Sequence, residues 1–403
     1  MLSLNNFQIE NKTVLVRVDF NVPHKKGKIL DSSKIRASIP TIKYLLSKNC
    51  RIILATHLGD PKGKFVSELK TDFLTKQLEE LLPKEKIILF DDCIGKDLKE
   101  KIISSPKRTI FLLENLRFYK GEEDNDPVFA HLLANLAEVY VNDAFAVCHR
   151  KHASVDAITK YLPSLSGLLL DKEVYRLSQA LHPQKPAIWI MGGAKLDKLD
   201  LIHQALKKAE HILIGGALSF SFLKAKRIEV GMSKVDFNSV KIAEKILKLY
   251  SKKIILPLDF KVTKEFSSNA PSRIASYNQI GKNEVALDLG PETINLFERY
   301  LSTANTIVWN GPLGYFEWAK YSLATKEIGR FLGKRKAIKI AGGGETVSAI
   351  RNFHLEHNFT HVSTGGGASL EFLSGKKLPG IEALKKSQIK LRRKAAIKRW
   401  FRI

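Results

Sequence analysis

A chain of 403 residues with 44% hydrophobic and 27% charged residues can bury two domain cores, and no apolar run in it approaches the roughly 18 residues of a membrane span. Lysine and arginine outnumber aspartate and glutamate by 66 to 41, a formal charge of +25, which favours anionic partners, whether small phosphates or nucleic acid. Cys50, Cys93 and Cys148 are scattered without metal-ligand spacing, and no basic-then-apolar leader precedes the β-type run at Thr13, so reduced thiols in a cytoplasmic protein are expected.

In chain order, β-type runs occur at 13–20, 51–57, 86–90, 109–116 and 138–145. Helical spacing falls between them, as in SIPTIKYLLSK (38–48) and DFLTKQLEELL (72–82), and this alternation predicts parallel βαβ units. DKEVYRLSQAL (171–181) has no strand beside it and is closed by His182-Pro183, which reads as a helix joining two domains. The alternation resumes from Ala187 to Gly367, with further strands at 253–260 and 284–290. The expected architecture is α/β: two doubly wound parallel-sheet, Rossmann-like domains facing a cleft and joined by a helix. The domains are expected at 1–170 and 182–368, with 369–384 packing back on the first and a basic tail at 385–403.

The first-half strands end in polar residues. The first ends with Arg17, Asp19 and Asn21, the second with His57, and the fourth with Glu114, Asn115 and Arg117. The fifth ends with Asn142 and Asp143, followed by His149, Arg150 and His152. Each alone reads first as an ordinary surface charge. Together, at one end of one sheet, they predict a cationic pocket for a small molecule carrying phosphate, carboxylate and hydroxyl.

The second half ends its strands in glycine: AIWIMGGAK (187–195), HILIGGAL (211–218), TIVWNGPLG (306–314), AIKIAGGGETVSAI (337–350) and HVSTGGGASL (361–370). A strand that stops in glycines and opens a helix offers backbone N–H groups to phosphate at the positive end of the helix dipole, although glycines also end strands for purely structural reasons. There is no GxxxxGK[ST] and no GxGxxG, which excludes an ordinary P-loop or dinucleotide fold. Lys195 is placed to reach a phosphate. Glu345 reads either as a Mg²⁺ ligand beside nucleotide phosphates or as a first-turn acid stabilising its helix. One domain for a small anion and one for a nucleotide imply phosphoryl transfer. No general base stands out, and an ionised acceptor such as a carboxylate needs none.

These residues closely resemble phosphoglycerate kinase from about Asn11 to Leu384. The matching blocks include VLVRVDFNVP (14–23), HLG (57–59), LLENLRF (112–118), VNDAF (141–145), HRKHAS (149–154), GGAK (192–195), DLGPET (288–293), VWNGPLGYFE (308–317), GGGET (342–346) and STGGGASLE (363–371). The resemblance implies a glycolytic, hinge-bending, monomeric kinase. Such an enzyme transfers the ATP γ-phosphoryl group reversibly to the carboxylate of 3-phosphoglycerate, with Mg²⁺ and ATP/ADP, giving 1,3-bisphosphoglycerate. It further implies that Asp19, Asn21, Lys34, His57, Arg117 and Arg150 bind the acid, and that Arg17, His149 and His152 line the basic patch. Gly193, Ala194, Lys195, Asn310, Pro312, Glu317, Gly343, Gly344, Glu345 and Thr346 would bind nucleotide, with Glu345 the metal ligand. Lys34, Lys195, Gly343 and Gly366 are the implied catalytic positions, Gly366 and Gly367 opening a facing helix, with hinges at 171–181 and Ser363–Thr364.

Several positions depart from the family pattern. Lys34 stands where arginine is usual and keeps the charge without the planar fork, so a slower enzyme is expected. Asp60 replaces a basic-patch arginine, Glu345 an aspartate and Ala217 a glycine, while Cys148 falls near the site. Lys198 follows Lys195 by three positions rather than four, which leaves its role open.

The last 19 residues, KKSQIKLRRKAAIKRWFRI, hold nine of the lysines and arginines and no acid. Ile389, Ala396, Ile397, Trp400 and Ile403 share a helical stripe, readable as a frayed terminus or as a contact for anionic membrane or nucleic acid. The alternative function is a weakened homologue that binds RNA or membrane.

Overall fold

Residues 1–193 and 199–400 are described by the computed structural model, with 199–200 and 391–400 as backbone only. The chain divides into two units, one formed by Met1–Val174 with the segment that begins at Lys377, the other by Tyr175–Lys376. The boundary falls inside the helix Leu168–Leu181, which starts three residues before the stretch read from sequence.

Six parallel strands make the sheet of the first unit: β1 (Thr13–Arg17), β2 (Arg51–Ala55), β3 (Ile87–Leu89), β4 (Ile110–Leu112), β5 (Val139–Asn142) and β6 (Ser164–Ser166), in the order 3-4-2-1-5-6. Central β1 is buried throughout, as expected for a parallel strand covered on both faces. Val14, Val16, Ile52, Leu54, Ile110 and Leu112 pack against Ile39, Ile42, Leu45 and Leu46 of the helix Ser33–Ser47. Each such burial contributes about 1.5–3 kcal/mol. That helix begins five residues before the 38–48 pattern and takes Pro40 into its interior. Asp31 starts it by accepting from the Ser33 amide at 2.8 Å, and the early start places Lys34 in its first turn.

The second unit has its own six-stranded parallel sheet: β7 (Ala187–Met191), β8 (His211–Ile214), β9 (Ile254–Ile255), β13 (Thr306–Asn310), β14 (Ile338–Gly342) and β15 (His361–Val362). Its spatial order is β9-β8-β7-β13-β14-β15, the Rossmann order with its switch point between β7 and β13. The numbers skipped belong to an antiparallel sheet of β10 (Asp259–Thr263), β11 (Ser272–Ser276) and β12 (Val285–Leu289), β10 in the middle. This corrects the expectation that 253–260 and 284–290 continue the parallel alternation. Pro257 divides the first run, leaving Ile254–Ile255 in one sheet and Asp259 onward in another. Phe260 and Ala286 of this insertion share a core with Ile188, Ile190, Trp309 and Phe297. Among the described residues no helix is long and apolar enough to cross a membrane.

Candidate active site

Parallel pairing of β1 with β2 and β5 brings their C-terminal ends to one edge of the first sheet. Arg17, at the end of β1, is 1% exposed. Its Nε donates to Ser154 Oγ at 2.8 Å and its Nη2 lies 3.9 Å from Glu122 Oε1, a carboxylate with no exposure. Glu122 also accepts from the Ser154 amide and hydroxyl at 2.9 and 2.6 Å. The buried guanidinium is therefore matched by a buried, hydrogen-bonded carboxylate, which offsets the cost of removing each from water.

Arg17 Nη2 also lies 3.2 Å from His57 Nδ1. A guanidinium only donates, so Nδ1 must be the accepting nitrogen and the ring proton sits on Nε2. Burial, then the charges of Arg17, Arg117, Lys34 and Arg150, hold the His57 pKa well below its ordinary value. His57 is thus a neutral donor. His152 is pushed down to about 3, first by burial and then by Arg117, Arg17 and Arg150.

Asp19 accepts from the Asn21 amide at 3.2 Å and from Lys34 Nζ at 2.8 Å. Asn21 Oδ1 in turn accepts from the Gly59 amide at 3.1 Å, tying the β1 and β2 ends together. Arg117 is buried, with Nε 3.4 Å from Glu123 and Nη1 4.0 Å from Asp60. Burial lowers its pKa, with the Arg150 charge next. Arg150 is exposed and His149 partly so. The structure thus gathers Arg17, Asp19, Asn21, Lys34, His57, Arg117, Arg150 and His152 at one edge.

Other polar strand ends are structural. Asn115 donates to the carbonyls of Leu58 and Leu69 and accepts from the Leu58 and Arg117 amides at 3.2 and 3.1 Å. Glu114 accepts from the Thr71 amide at 2.8 Å, Asn142 from Ala144 at 3.0 Å and Asp143 from Leu169 at 2.9 Å. Burial raises Asp143 to about 7. Cys148 is fully buried, its thiol pushed up to about 12. Glu122 and Ser154, which hold Arg17, are the residues that sequence reasoning missed. KGEE (120–123) reads as an exposed acidic turn, and no signal in it marks burial.

In the second unit the backbones at the β7 and β13 ends approach closely. A Cβ on Gly311 (φ +93°) would sit 2.2 Å from the Gly192 carbonyl, and one on Gly192 would sit 2.1 Å from the Pro312 oxygen. Gly192 and Gly193 donate to the Asn310 and Pro312 carbonyls at 2.8 and 2.9 Å. Thr346 Oγ1 accepts from the Gly311 amide at 2.6 Å, and Asn310 Nδ2 donates to the Gly342 carbonyl at 2.7 Å. Gly343 (φ +94°) caps the helix Gly344–Asn352, and Gly344 has nothing within 4 Å of its would-be Cβ. Gly344 and Glu345 at its start are exposed, and a helix N-terminus favours an anion. Gly366 (φ +52°) is likewise open and precedes the helix Gly367–Leu373. Ala194, Lys195 and Lys198 lie outside the described residues.

A cavity of about 590 Å³ lies at these strand ends, within the roughly 300–1,000 Å³ usual for cofactors. Phe220, Phe260, Phe266, Leu289 and Leu313 give it apolar walls, while Gly193, Glu317 and Glu345 border it. Ala217 lines it too. Asp288, another residue missed from sequence, braces the wall. It accepts from the Leu289 and Ala324 amides at 3.0 and 3.2 Å and leaves Gly314 no room for a side chain.

An edge of paired cations in one α/β unit and a glycine-lined Rossmann cavity in the other define a phosphotransferase of the kinase class. The sequence profile of phosphoglycerate kinase matches residues 4–376. The phosphoglycerate kinase of Dictyoglomus turgidum is 44% identical over 390 residues, covering 95% of this chain and 98% of the relative. That of Moorella thermoacetica is 43% identical over 388 residues, covering 95% and 98%. Solved phosphoglycerate kinases agree in fold. The Coxiella burnetii enzyme superposes with a TM-score of 0.87 at 35% identity, over 96% of this chain and 99% of that one. For Pyrococcus horikoshii the score is 0.84 at 31% identity, over 97% and 100%. This chain belongs to the phosphoglycerate kinase family.

Proposed function

We infer that the chain catalyses reversible transfer of the ATP γ-phosphoryl group to the carboxylate of 3-phosphoglycerate, giving 1,3-bisphosphoglycerate and ADP, with ATP formation the glycolytic direction. One observation carries this reading: in a member of this family, buried Arg17 and Arg117 flank a neutral, donating His57 at one sheet edge. A tribasic small acid needs such fixed positive charge and N–H donors. The unit that begins at Met1 would bind the acid through Asp19, Asn21, Lys34, His57, Arg117 and Arg150. The unit from Tyr175 would bind nucleotide through Gly193, Asn310, Pro312, Glu317 and the 343–346 turn.

An ionised carboxylate attacks without a base, so positioning and charge stabilisation carry the catalysis. His57 Nε2–H and Arg117 orient the acid. Gly343 and Gly344 present backbone N–H groups to the phosphates, and Lys34 offsets charge on the moving phosphoryl group. Glu345 suits Mg²⁺: its carboxylate is exposed in the first helical turn, its Oε2 lies 3.5 Å from a Cβ built on Gly193, and it borders the cavity. Among the described residues no group of three ligating side chains is present, so phosphate and water oxygens would complete the shell. The ion, when bound, would neutralise charge on the nucleotide phosphates. Acceptor and donor bind in different units, so closure about the helix Leu168–Leu181 is part of the proposal. The three cysteines are free and buried, which supports a reducing cytoplasm, and a monomer is the simplest state. The decisive assay couples purified protein, ATP, Mg²⁺ and 3-phosphoglycerate to a dehydrogenase that consumes the product. Turnover that disappears with EDTA is expected, and no turnover at high enzyme overturns the reading.

A further inference from the structure

Most acids around the first-unit edge are committed to partners. Asp19 holds Lys34 and the Asn21 amide, and Glu122 is buried on Ser154 and Arg17. Glu123, 27% exposed, sits against Arg117 Nε. Asp60 differs. Its side chain is 61% exposed, and its single ion pair among the described residues is the 4.0 Å approach to Arg117 Nη1. It follows Gly59, whose carbonyl accepts from the same Nη1 at 2.5 Å and whose amide is held by Asn21. The backbone therefore fixes where this carboxylate hangs, while among the described residues no hydrogen bond fixes the carboxylate itself.

We propose that Asp60 is a tethered counter-ion that competes with the anionic substrate for Arg117 and sets the affinity of this site below what its cations alone would give. The inference rests on the functional reading above. A carboxylate at the rim repels an incoming phosphate in proportion to ligand charge. Its effect thus falls harder on the doubly phosphorylated acid than on the singly phosphorylated one. Asp60 in this role is an affinity-determining residue that speeds departure of the more charged partner. For charges about 6 Å apart in a largely aqueous dielectric, the effect is roughly three- to tenfold in affinity.

The test compares the full chain with Asp60→Asn and Asp60→Ser. Glu10→Gln serves as control, since Glu10 lies before β1 at the opposite edge of the sheet and removes the same charge. With 3-phosphoglycerate varied at saturating Mg-ATP, both Asp60 variants should lower KM about three- to tenfold. The change in kcat should be smaller, and the difference should shrink as KCl rises. Glu10→Gln should match the parent. An unchanged or higher KM in both Asp60 variants, or an equal fall in Glu10→Gln, overturns the proposal. Calorimetric titration with inorganic phosphate separates the two readings. Tighter phosphate binding by Asp60→Asn without turnover in any protein supports the counter-ion and defeats the kinase reading. Turnover with equal phosphate affinity does the reverse.

Discussion

Replacing Arg17 by methionine keeps much of the side-chain volume and removes the charge that faces Glu122. Glu122 has no exposure and, among the described residues, retains the Ser154 amide and hydroxyl at 2.9 and 2.6 Å, with His152 Nδ1 3.8 Å away. His152 gives no compensation, because its pKa of about 3 leaves the ring neutral at pH 7. Breaking a buried pair on one side costs about 3–5 kcal/mol, most of it the stranded charge. Arg17→Met should therefore destabilise the first unit by that amount, and Glu122→Gln added to it should restore about 2–3 kcal/mol. Because two units need not unfold together, the measurement is hydrogen exchange of the slowest amides in β1 and β5, across the two single variants and the double. A loss below about 1 kcal/mol in Arg17→Met, or a double variant no more stable than it, would refute the argument that Glu122 is the charge being compensated.

Gly311→Ala should weaken Mg-ADP binding at least tenfold by calorimetry, since its Cβ meets the Gly192 carbonyl at 2.2 Å from a φ of +93° and must part the β7 and β13 ends; unchanged affinity would mean that this crossing does not shape the cavity. The depressed histidines set a pH response. Above pH 6.5 His152 is neutral folded and unfolded, whereas below it only the unfolded chain takes up the proton until pH nears 3. Stability of the first unit should thus fall as pH drops through that window, by at most about 1.4 kcal/mol per unit from this residue. His57 acts in the same direction. In urea titrations at pH 7 and 5, His152→Gln should narrow the gap between the two midpoints.

Much of the candidate cluster could be read directly because strand ends come together in parallel sheets. Arg17, Asp19, His57 and Arg117 stand at or just beyond the ends of strands, and parallel pairing brings those ends to one edge. The glycine-ended runs of the second half followed the same logic. β6 was missed because Ser-Leu-Ser lacks an apolar pattern, though all three residues are buried beside β5. The antiparallel β10 and β12 have hydrophobic runs like those of parallel strands, so periodicity could not assign them to a separate sheet.

Local order along the chain was enough to establish the α/β alternation, the basic cluster at the strand ends of one half and the glycine-rich turns of the other, because hydrophobic period, charge and turn chemistry are properties of neighbouring residues. Which polar residues lie partly open at the sheet edge and which are buried bracing a loop was decided only in three dimensions. Asn115 and Asp143 look no different from Asn21 and Asp19 in sequence, yet the first pair is fully buried and bonded to backbone, while Asp19 holds Lys34 and Asn21 is only partly buried. Glu122 looks like a solvated acid and lies fully buried against Arg17. Burial and the sharing of hydrogen bonds are set by contacts between residues far apart in the chain, such as the 32 positions that separate Glu122 from Ser154, and no pattern of neighbours encodes them.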